Sequence, residues 1–336
     1  MPLSVSVILP VHNGGSPFRQ CLRALLSARP VSAEIIVVPD GESDGAWRHA
    51  LGHGIFVLKP DGGSRGPAYA RNRGALHASG DILFFVDADV VVPPGIIGEI
   101  QDAFSQDERL DALIGSYDDA PAEPGFLSQY RNLLHHYVHQ TSNQEASTFW
   151  GACGAIRRDV FLRAGGFDES YREASIEDIE LGYRLKQSGR TIRLKKNLQV
   201  KHLKKWRIGS MLRTDLLRRA VPWTTLMLQS RSLQNDLNLR TESRLSVVAA
   251  YTFAFACVGA LWWVEAVYLA VATGLLLLAL NAPLYDFFRR KRGWTFALGS
   301  IPWHWLYFLY GGLGFVIGAV MFLARTGPRG RVPKHA

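Results

Sequence analysis

The sequence is short of cysteine. Its three, Cys21, Cys153 and Cys257, lie far apart and form no CxxC pair. That excludes a disulfide framework and a cysteine-built metal site and fits a reducing compartment. No GxGxxG turn follows the first apolar run, so the glycine fingerprint of a nicotinamide-dependent oxidoreductase is missing. The opening MPLSVSVILP has neither a basic n-region nor a long apolar run. It is not read as a secretory signal, and the front of the chain is expected to stay on the side where it is made. There is no internal repeat and no low-complexity tract. Charge is scarce from Leu245 to Leu323, where apolar and aromatic residues dominate.

What is present divides the chain into a front domain, 1–205, a linking region, 206–244, and an apolar region, 245–324. In the front, apolar runs at Ser4 to Leu9, Glu34 to Val38, Ile55 to Leu58 and Ile82 to Val86 read as buried strands. Helical patterns separate them, one carrying Phe18, Leu22, Leu25 and Leu26, another running from Pro67 to Ser79 with proline in its first turn. This alternation predicts an α/β domain on a parallel sheet. Further on, Ala112 to Tyr117, Cys153 to Ile156 and Thr191 to Leu194 read as strands, and Phe126 to His139 and Ile176 to Gln187 as helices. In such sheets ligands bind beyond the carboxyl ends of strands. The loops there are Pro10 to Gly15, Pro39 to Asp44 and Asp87 to Asp89.

Net charge is +9, and the excess is local: Arg184 to Arg219 holds 13 Lys or Arg against one acid, Asp215. Nucleic acid, an anionic membrane surface and phosphate-bearing substrates are the partners such a run suggests. Its position just before the apolar region favours membrane surface and pyrophosphate over nucleic acid. Ile208, Met211, Leu212, Leu216, Leu217 and Ala220 form one apolar helical face, the pattern of a helix lying in the membrane interface. Leu245 to Pro283 as a single helix would run ~58 Å against a hydrocarbon core of ~30 Å. Three spans are therefore expected, about 245–263, 264–283 and 296–323. Arg289 to Arg292 (RRKR) would face the cytoplasm with the front domain at the inner membrane. A basic tail, 325–336, follows.

Asp87-Ala88-Asp89 ends the ILFFV run. Two carboxylates one residue apart at a strand terminus can hold Mg2+ or Mn2+ while leaving positions open for substrate phosphates; they can equally be turn formers or helix caps. Asp40, just past the second strand, can accept a hydrogen bond from a nucleobase imide or serve turn chemistry. Glu177 and Asp178 open a helix, as dipole partners or as a group that takes a proton from a hydroxyl. His202 is a candidate metal ligand or a satisfied polar residue. The glycine-rich Gly62 to Gly74, with Arg71 and Arg73, can bind phosphate where it enters a helix.

The order of these pieces resembles glycosyltransferase family two, the inverting enzymes of GT-A fold. VSVILPVHNGG, EIIVVPDGESDG, ARNRGALHASGDILFFVDADVVVPP and GGFDESYREASIEDIELGYRLKQSGRTIRL ending in QVKH carry the resemblance, which covers roughly residues 3 to 202. It implies that Pro10, Val11, His12, Asn13 and Asp40 hold the base of a nucleotide-sugar and that Arg71 lies near its diphosphate. Asp87 would contact ribose or a divalent metal and Asp89 would ligate the metal, with Ala88 between them and His202 as a further metal ligand. Trp150 and Gly151, in WGACG, would border donor sugar and acceptor. Asp178 would be the general base, with Glu177 beside it. Pro39 stands where the family often has a second acid, and the QxxRW motif of processive synthases is missing. A single transfer per acceptor is therefore expected, from a donor that is UDP-linked by resemblance, to a lipid or lipid-linked acceptor. An inactive transferase-like membrane scaffold and a nucleotidyltransferase are the alternatives.

Overall fold

The computed structural model describes residues 3–28, 30, 33–41, 44–60, 62–231 and 236–326, in two compact units divided after Trp206. The first unit runs β1 (Val5–Val11), α1 (Gly15–Ala28), β2 (Glu34–Pro39), β3 (Phe56–Val57), α2 (Pro67–His77), β4 (Ile82–Val86), β5 (Val90–Val91), α3 (Ile96–Gln106), β6 (Ala112–Tyr117), α4 (Phe126–Thr141), β7 (Cys153–Arg157), α5 (Arg158–Arg163), α6 (Glu177–Gln187) and β8 (Ile192–His202). The strands form one sheet in the order β3-β2-β1-β4-β7-β6-β8-β5. β1 pairs in parallel with β2 and β4, β2 with β3, and β6 with β8. The antiparallel pairings all involve β7 or β5.

The sheet is buried on both faces, which is why its strands read as unbroken apolar runs. Alternation then divides the side chains. Val5, Val7, Leu9 and Val11 join a cluster with Phe18 and Leu25 of α1 and Ile97 and Phe104 of α3. Ile8, Ile36 and Phe85 face the other way, toward Ala70 of α2, Phe161 of α5 and Leu181 of α6. Phe85 meets Phe149, Phe161 and Phe167 with ring centroids 6.1, 5.2 and 5.1 Å apart, anchoring the loop between α5 and α6 to the sheet.

β8 is longer than its sequence suggests. Thr191 to Leu194 was expected; the strand continues to His202, with a register shift against β6 between Ile114 and Ser116. Lys195, Lys196 and Lys201 hide the alternation, yet Leu198, Val200 and His202 are buried. β5 is only two residues long, and it pairs Val90 with His202 and Val91 with Lys201.

The second unit runs α7 (Ile208–Arg213), a π-helical stretch (Thr214–Ala220), α8 (Val221–Ser230), α9 (Thr241–Gly259) and α10 (Ala266–Thr326). The π turn, with one extra residue per turn, rotates the expected apolar face. Leu217 is exposed, and the acid Asp215 is buried instead, accepting a hydrogen bond from Tyr310 Oη at 2.8 Å. α10 breaks at Gly293, whose φ of 82° and ψ of 175° are not helical. Helix therefore continues through RRKR, where Asp286 pairs with Arg289 and Arg290 at 2.7 and 2.8 Å. Asn281 Nδ2 donates to Ser246 Oγ at 3.0 Å and Tyr251 Oη to the Leu309 carbonyl at 2.7 Å, joining α9 to α10. Among the described residues one helix, Ala266–Arg325, is long and apolar enough to cross a membrane by length and composition; its apolar stretch has a mean hydropathy of 2.0 and is 28% buried. Beyond Thr326 the basic tail lies outside the described residues.

Candidate active site

Parallel pairing puts the carboxyl ends of β1, β2 and β4 along one edge: Val11 is in register with Pro39, and Ile8 with both Ile36 and Phe85. The loops that follow carry His12, Asp40 and Asp87. The Asp40 amide donates to the Val11 carbonyl at 2.9 Å. His12 Nδ1 donates to the Asp40 carbonyl at 2.7 Å, leaving Nε2 as the acceptor for Asn13 Nδ2 at 3.3 Å. Asn13 takes a left-handed φ of 49°, a conformation asparagine tolerates. His12 and Asn13 are exposed, Pro10 half-buried and Val11 buried.

Asp40 is buried, and its carboxylate accepts from Ser64 Oγ at 2.8 Å, Arg65 N at 2.8 Å and Gly66 N at 3.0 Å. It therefore ties the glycine-rich loop before α2 to the end of β2. Gly41 is required there: at φ 59° a Cβ would stand 2.0 Å from Ser64 N.

Each residue of Arg71-Asn72-Arg73 on α2 has a different task. Arg71 Nη2 donates to Asp87 Oδ1 at 2.7 Å and Nη1 to Glu177 Oε1 at 2.9 Å, with Arg71 and Glu177 side chains each 5% exposed. Burial opposes the guanidinium's charge, but Asp87, Glu177 and Asp178 outweigh it and hold the group more firmly protonated than usual. Asn72 clamps the loop before α6, donating to the Phe167 carbonyl at 2.8 Å and accepting from Phe167 N at 2.8 Å. Arg73 reaches the Lys59 carbonyl at 2.7 Å.

Glu177 has its second oxygen occupied by Ser175 N at 2.8 Å. Asp178 is half-buried at the N-terminus of α6, where its Oδ1 accepts from Ile179 N at 2.8 Å and its Oδ2 from Gly151 N at 3.0 Å. Gly151 also packs on Arg71: a Cβ there would lie 2.9 Å from the guanidinium carbon. One glycine thus touches both the central cation and the candidate base.

Asp87 and Asp89 diverge, and Ala88, half-buried between them, packs on the core. Asp87 turns to Arg71. Asp89 turns to His202, with Oδ2 and Nε2 3.6 Å apart, because β5 pairs beside the end of β8 and Leu203 N donates to the Asp89 carbonyl at 2.9 Å. Burial raises the Asp89 carboxyl, but the neighbouring His202, then the charge of Lys204, outweigh it and hold the group below the ordinary carboxylate range. Cys21 lies below, its thiol 3.6 Å from the Asp87 carbonyl and pushed up by burial and by both aspartates, so it is no nucleophile.

Among the described residues no three His, Cys, Asp or Glu side chains are arranged to hold a metal ion. The available donors are Asp89 and His202. A carboxylate and an imidazole, with the remaining positions open, fit a divalent ion shared with substrate phosphates rather than one caged by protein.

Sequence reasoning missed Tyr117. Its ring stacks on His202 with centroids 4.2 Å apart at 11° and meets Trp150 edge-on at 4.8 Å. α4 holds it there: His136 Nδ1 donates to the Tyr117 carbonyl at 2.7 Å and Asn132 Nδ2 to that of Asp118 at 2.7 Å. Trp150 is half-buried against His135 and His139 at 5.0 and 5.2 Å. Aromatic and histidine residues at a strand end and one helix face were the available signal.

Residues 6–164 match the family described as Glycosyl transferase family 2. Probable glycosyltransferase YdaM of Bacillus subtilis (strain 168) is 28% identical over 204 residues, covering 56% of this chain and 48% of that protein. Glucosyl-dolichyl phosphate glucuronosyltransferase of Haloferax volcanii is 24% identical over 182 residues, covering 50% and 56%. The chain spans about half the length of the curated relatives it matches. Among solved structures it is similar to mannosyltransferase PcManGT from Pyrobaculum calidifontis, in complex with GDP-Man and Mn2+. The TM-score is 0.62 at 18% identity, over 94% of this chain and 88% of that one. Residues 6–164 thus carry a match to Glycosyl transferase family 2 on a GT-A fold.

Proposed function

We propose that the chain is an inverting, non-processive glycosyltransferase. It moves a sugar from a nucleotide-diphosphate donor, UDP-linked in preference, to a lipid or lipid-linked acceptor at a membrane. The catalytic domain is the first unit, on the cytoplasmic face of the inner membrane, and α9 and the two parts of α10 are its spans. The observation that carries the reading is the linkage through Arg71: one buried guanidinium joins Asp87, at the end of β4, to Glu177, next to Asp178 on α6. A donor-binding strand end and a candidate base are thereby held at one edge of the sheet. The family match, the relative named for a dolichyl phosphate substrate and the long apolar helix support the donor, acceptor and membrane parts respectively.

Asp178 is the general base. Gly151 N and Ile179 N hold its carboxylate in place, and its partial exposure leaves room for a hydroxyl. The acceptor oxygen loses its proton to Asp178 and bonds to the anomeric carbon as that carbon's bond to the diphosphate oxygen breaks. Attack from the face opposite the leaving group inverts the configuration. Glu177, with both oxygens engaged, positions Arg71. Asp89 and His202 would hold a divalent ion, which when bound neutralises charge on the departing diphosphate. Pro10 to Asn13 and the Asp40-tied loop line the base end; Trp150 borders the sugar.

The test is nucleoside diphosphate release by full-length protein in detergent from UDP-, GDP- and dTDP-sugars, with lipid extract and Mn2+ or Mg2+. Release with one donor that depends on lipid and metal is expected. Asp178→Asn should lower the rate by about 10²–10⁴-fold, and Asp89→Ala should abolish the metal-dependent release. Pyrophosphate release from a nucleoside triphosphate would instead make it a nucleotidyltransferase. Neither release nor donor binding would leave a scaffold.

A further inference from the structure

The inner site is rich in acid. Asp87 and Glu177 pair with Arg71, Asp178 adds to the charge that holds it, and Asp89 lies beside His202. A diphosphate brings further negative charge and requires cations that can reach it. Arg71 cannot serve: its terminal nitrogens both go to carboxylates and its side chain is 5% exposed. Lys204 is placed differently. Leu203 N is bonded to the Asp89 carbonyl at 2.9 Å, and Trp206 N to Ser128 Oγ at 2.9 Å. The chain between is therefore pinned at both ends immediately after His202. Lys204 is exposed on that bridge, with its Nζ 4.5 Å from the Trp206 ring centre. A cation over an aromatic face is held in place without losing its capacity to donate.

We infer that Lys204 is a phosphate-binding residue, poised by Trp206 to donate to an oxyanion lying against Asp89 and His202. This deepens the transferase reading and rests on it. The oxyanion is the diphosphate of the donor or a phosphate of a lipid-linked acceptor. In either case the lysine supplies a positive charge that the buried arginine cannot. Lys205, next in the chain and also exposed, has no assigned role in the site and is the charge-matched control.

The experiment measures UDP and GDP binding by calorimetry on the full chain in detergent with Mn2+, for wild type, Lys204→Gln, Lys204→Arg and Lys205→Gln. Uridine and guanosine serve as phosphate-free probes. Lys204→Gln should weaken the bound nucleoside diphosphate by about tenfold, leave nucleoside binding and the melting temperature unchanged, and be partly rescued in Lys204→Arg. Lys205→Gln should bind as wild type does. A Lys204→Gln protein that binds diphosphate normally but has a raised KM for a polyprenyl-phosphate acceptor places the same contact on the acceptor. Unchanged diphosphate affinity together with unchanged acceptor KM overturns the assignment of Lys204 alone. A wild type that binds no nucleoside diphosphate overturns the transferase reading first, and this inference with it.

Discussion

β2 and β4 each carry a carboxylate at both ends. β2 opens on Glu34 and is followed by Asp40; β4 is preceded by Asp81 and followed by Asp87. At the opening end the acids serve neighbouring strands. Glu34 takes the hydroxyls of Ser6 and Ser79 and the amide of Ser79, and Asp81 takes the amide and hydroxyl of Ser4 at 2.8 and 2.7 Å. At the closing end the partners are a loop for Asp40, a buried arginine for Asp87 and, one residue further on, a histidine at 3.6 Å for Asp89. Residue type does not separate architecture from chemistry, because both ends use the same acid. The partners do. The opening-end acids are bonded to serines of the strands and their approaches, whereas Asp87 and Asp89 face the buried Arg71 and His202.

The largest break in this comparison comes from removing the cation that the closing-end acids share. Arg71→Met leaves Glu177 buried without its counter-charge, and breaking a buried pair costs about 3–5 kcal/mol. Asp87, whose side chain is 34% exposed, is partly rescued by water, which puts the expected loss near the lower bound, about 3 kcal/mol. Thermal melting of the full chain reads it, and adding Glu177→Gln should recover part of the loss. Unchanged melting would mean that Arg71 is held for a ligand and not for the fold.

Asp40 gives the next effect, and it sharpens the line between the two roles. Its carboxylate receives three donors from residues 64 to 66. Asp40→Asn turns one acceptor into a donor facing a buried amide, at a cost of about 1–3 kcal/mol. Lower stability with unchanged preference among UDP-, GDP- and dTDP-sugars is the outcome expected if the acid acts through the loop. A changed donor preference at unchanged stability would assign it to the base directly.

These distinctions mark how far the sequence could be read. Asp40, Asp87 and Asp89 were legible as candidates because each follows an apolar run that can only be a strand, and parallel strands align their ends. What Asp87 and Glu177 do for each other was not, since their link is Arg71, 106 positions from Glu177 in the chain. The pairing of β5 with β8 was hidden by the half-buried Lys195, Lys196 and Lys201, which interrupt the apolar pattern, and with it the approach of Asp89 to His202. Tyr117 read as one more strand aromatic; only the register of β6 with β8, Tyr117 opposite Val200, brings its ring near His202. In the second unit the apolar periodicity predicted one helical face, and the π turn at Thr214–Ala220 displaced it by a residue. Local pattern reports the period of a segment and cannot report an insertion that changes it.

The smallest effect belongs to the opening end. Partial burial raises the Glu34 carboxyl, but the hydrogen bonds from Ser6, Ser79 and Gly80 outweigh it and hold it below its ordinary value. The amide and hydroxyl of Ser4 hold Asp81 down in the same way. For a carboxyl depressed in the folded state, the stabilisation is fully present above its unfolded pKa and fades as pH falls through the folded one. Both groups should therefore contribute at neutral pH and progressively lose that contribution below about pH 4. The melting temperature of the full chain, followed from about pH 6 to pH 3, should fall less steeply in Glu34→Gln and Asp81→Asn than in wild type, each variant starting lower at pH 6. Because these acids lie at the end of the strands away from the candidate site, donor affinity at pH 6 should match wild type in both. A slope identical to wild type would show that the serine contacts do not discriminate between the charged and neutral carboxyl. A loss of donor affinity would show that the two ends of β2 and β4 are not independent.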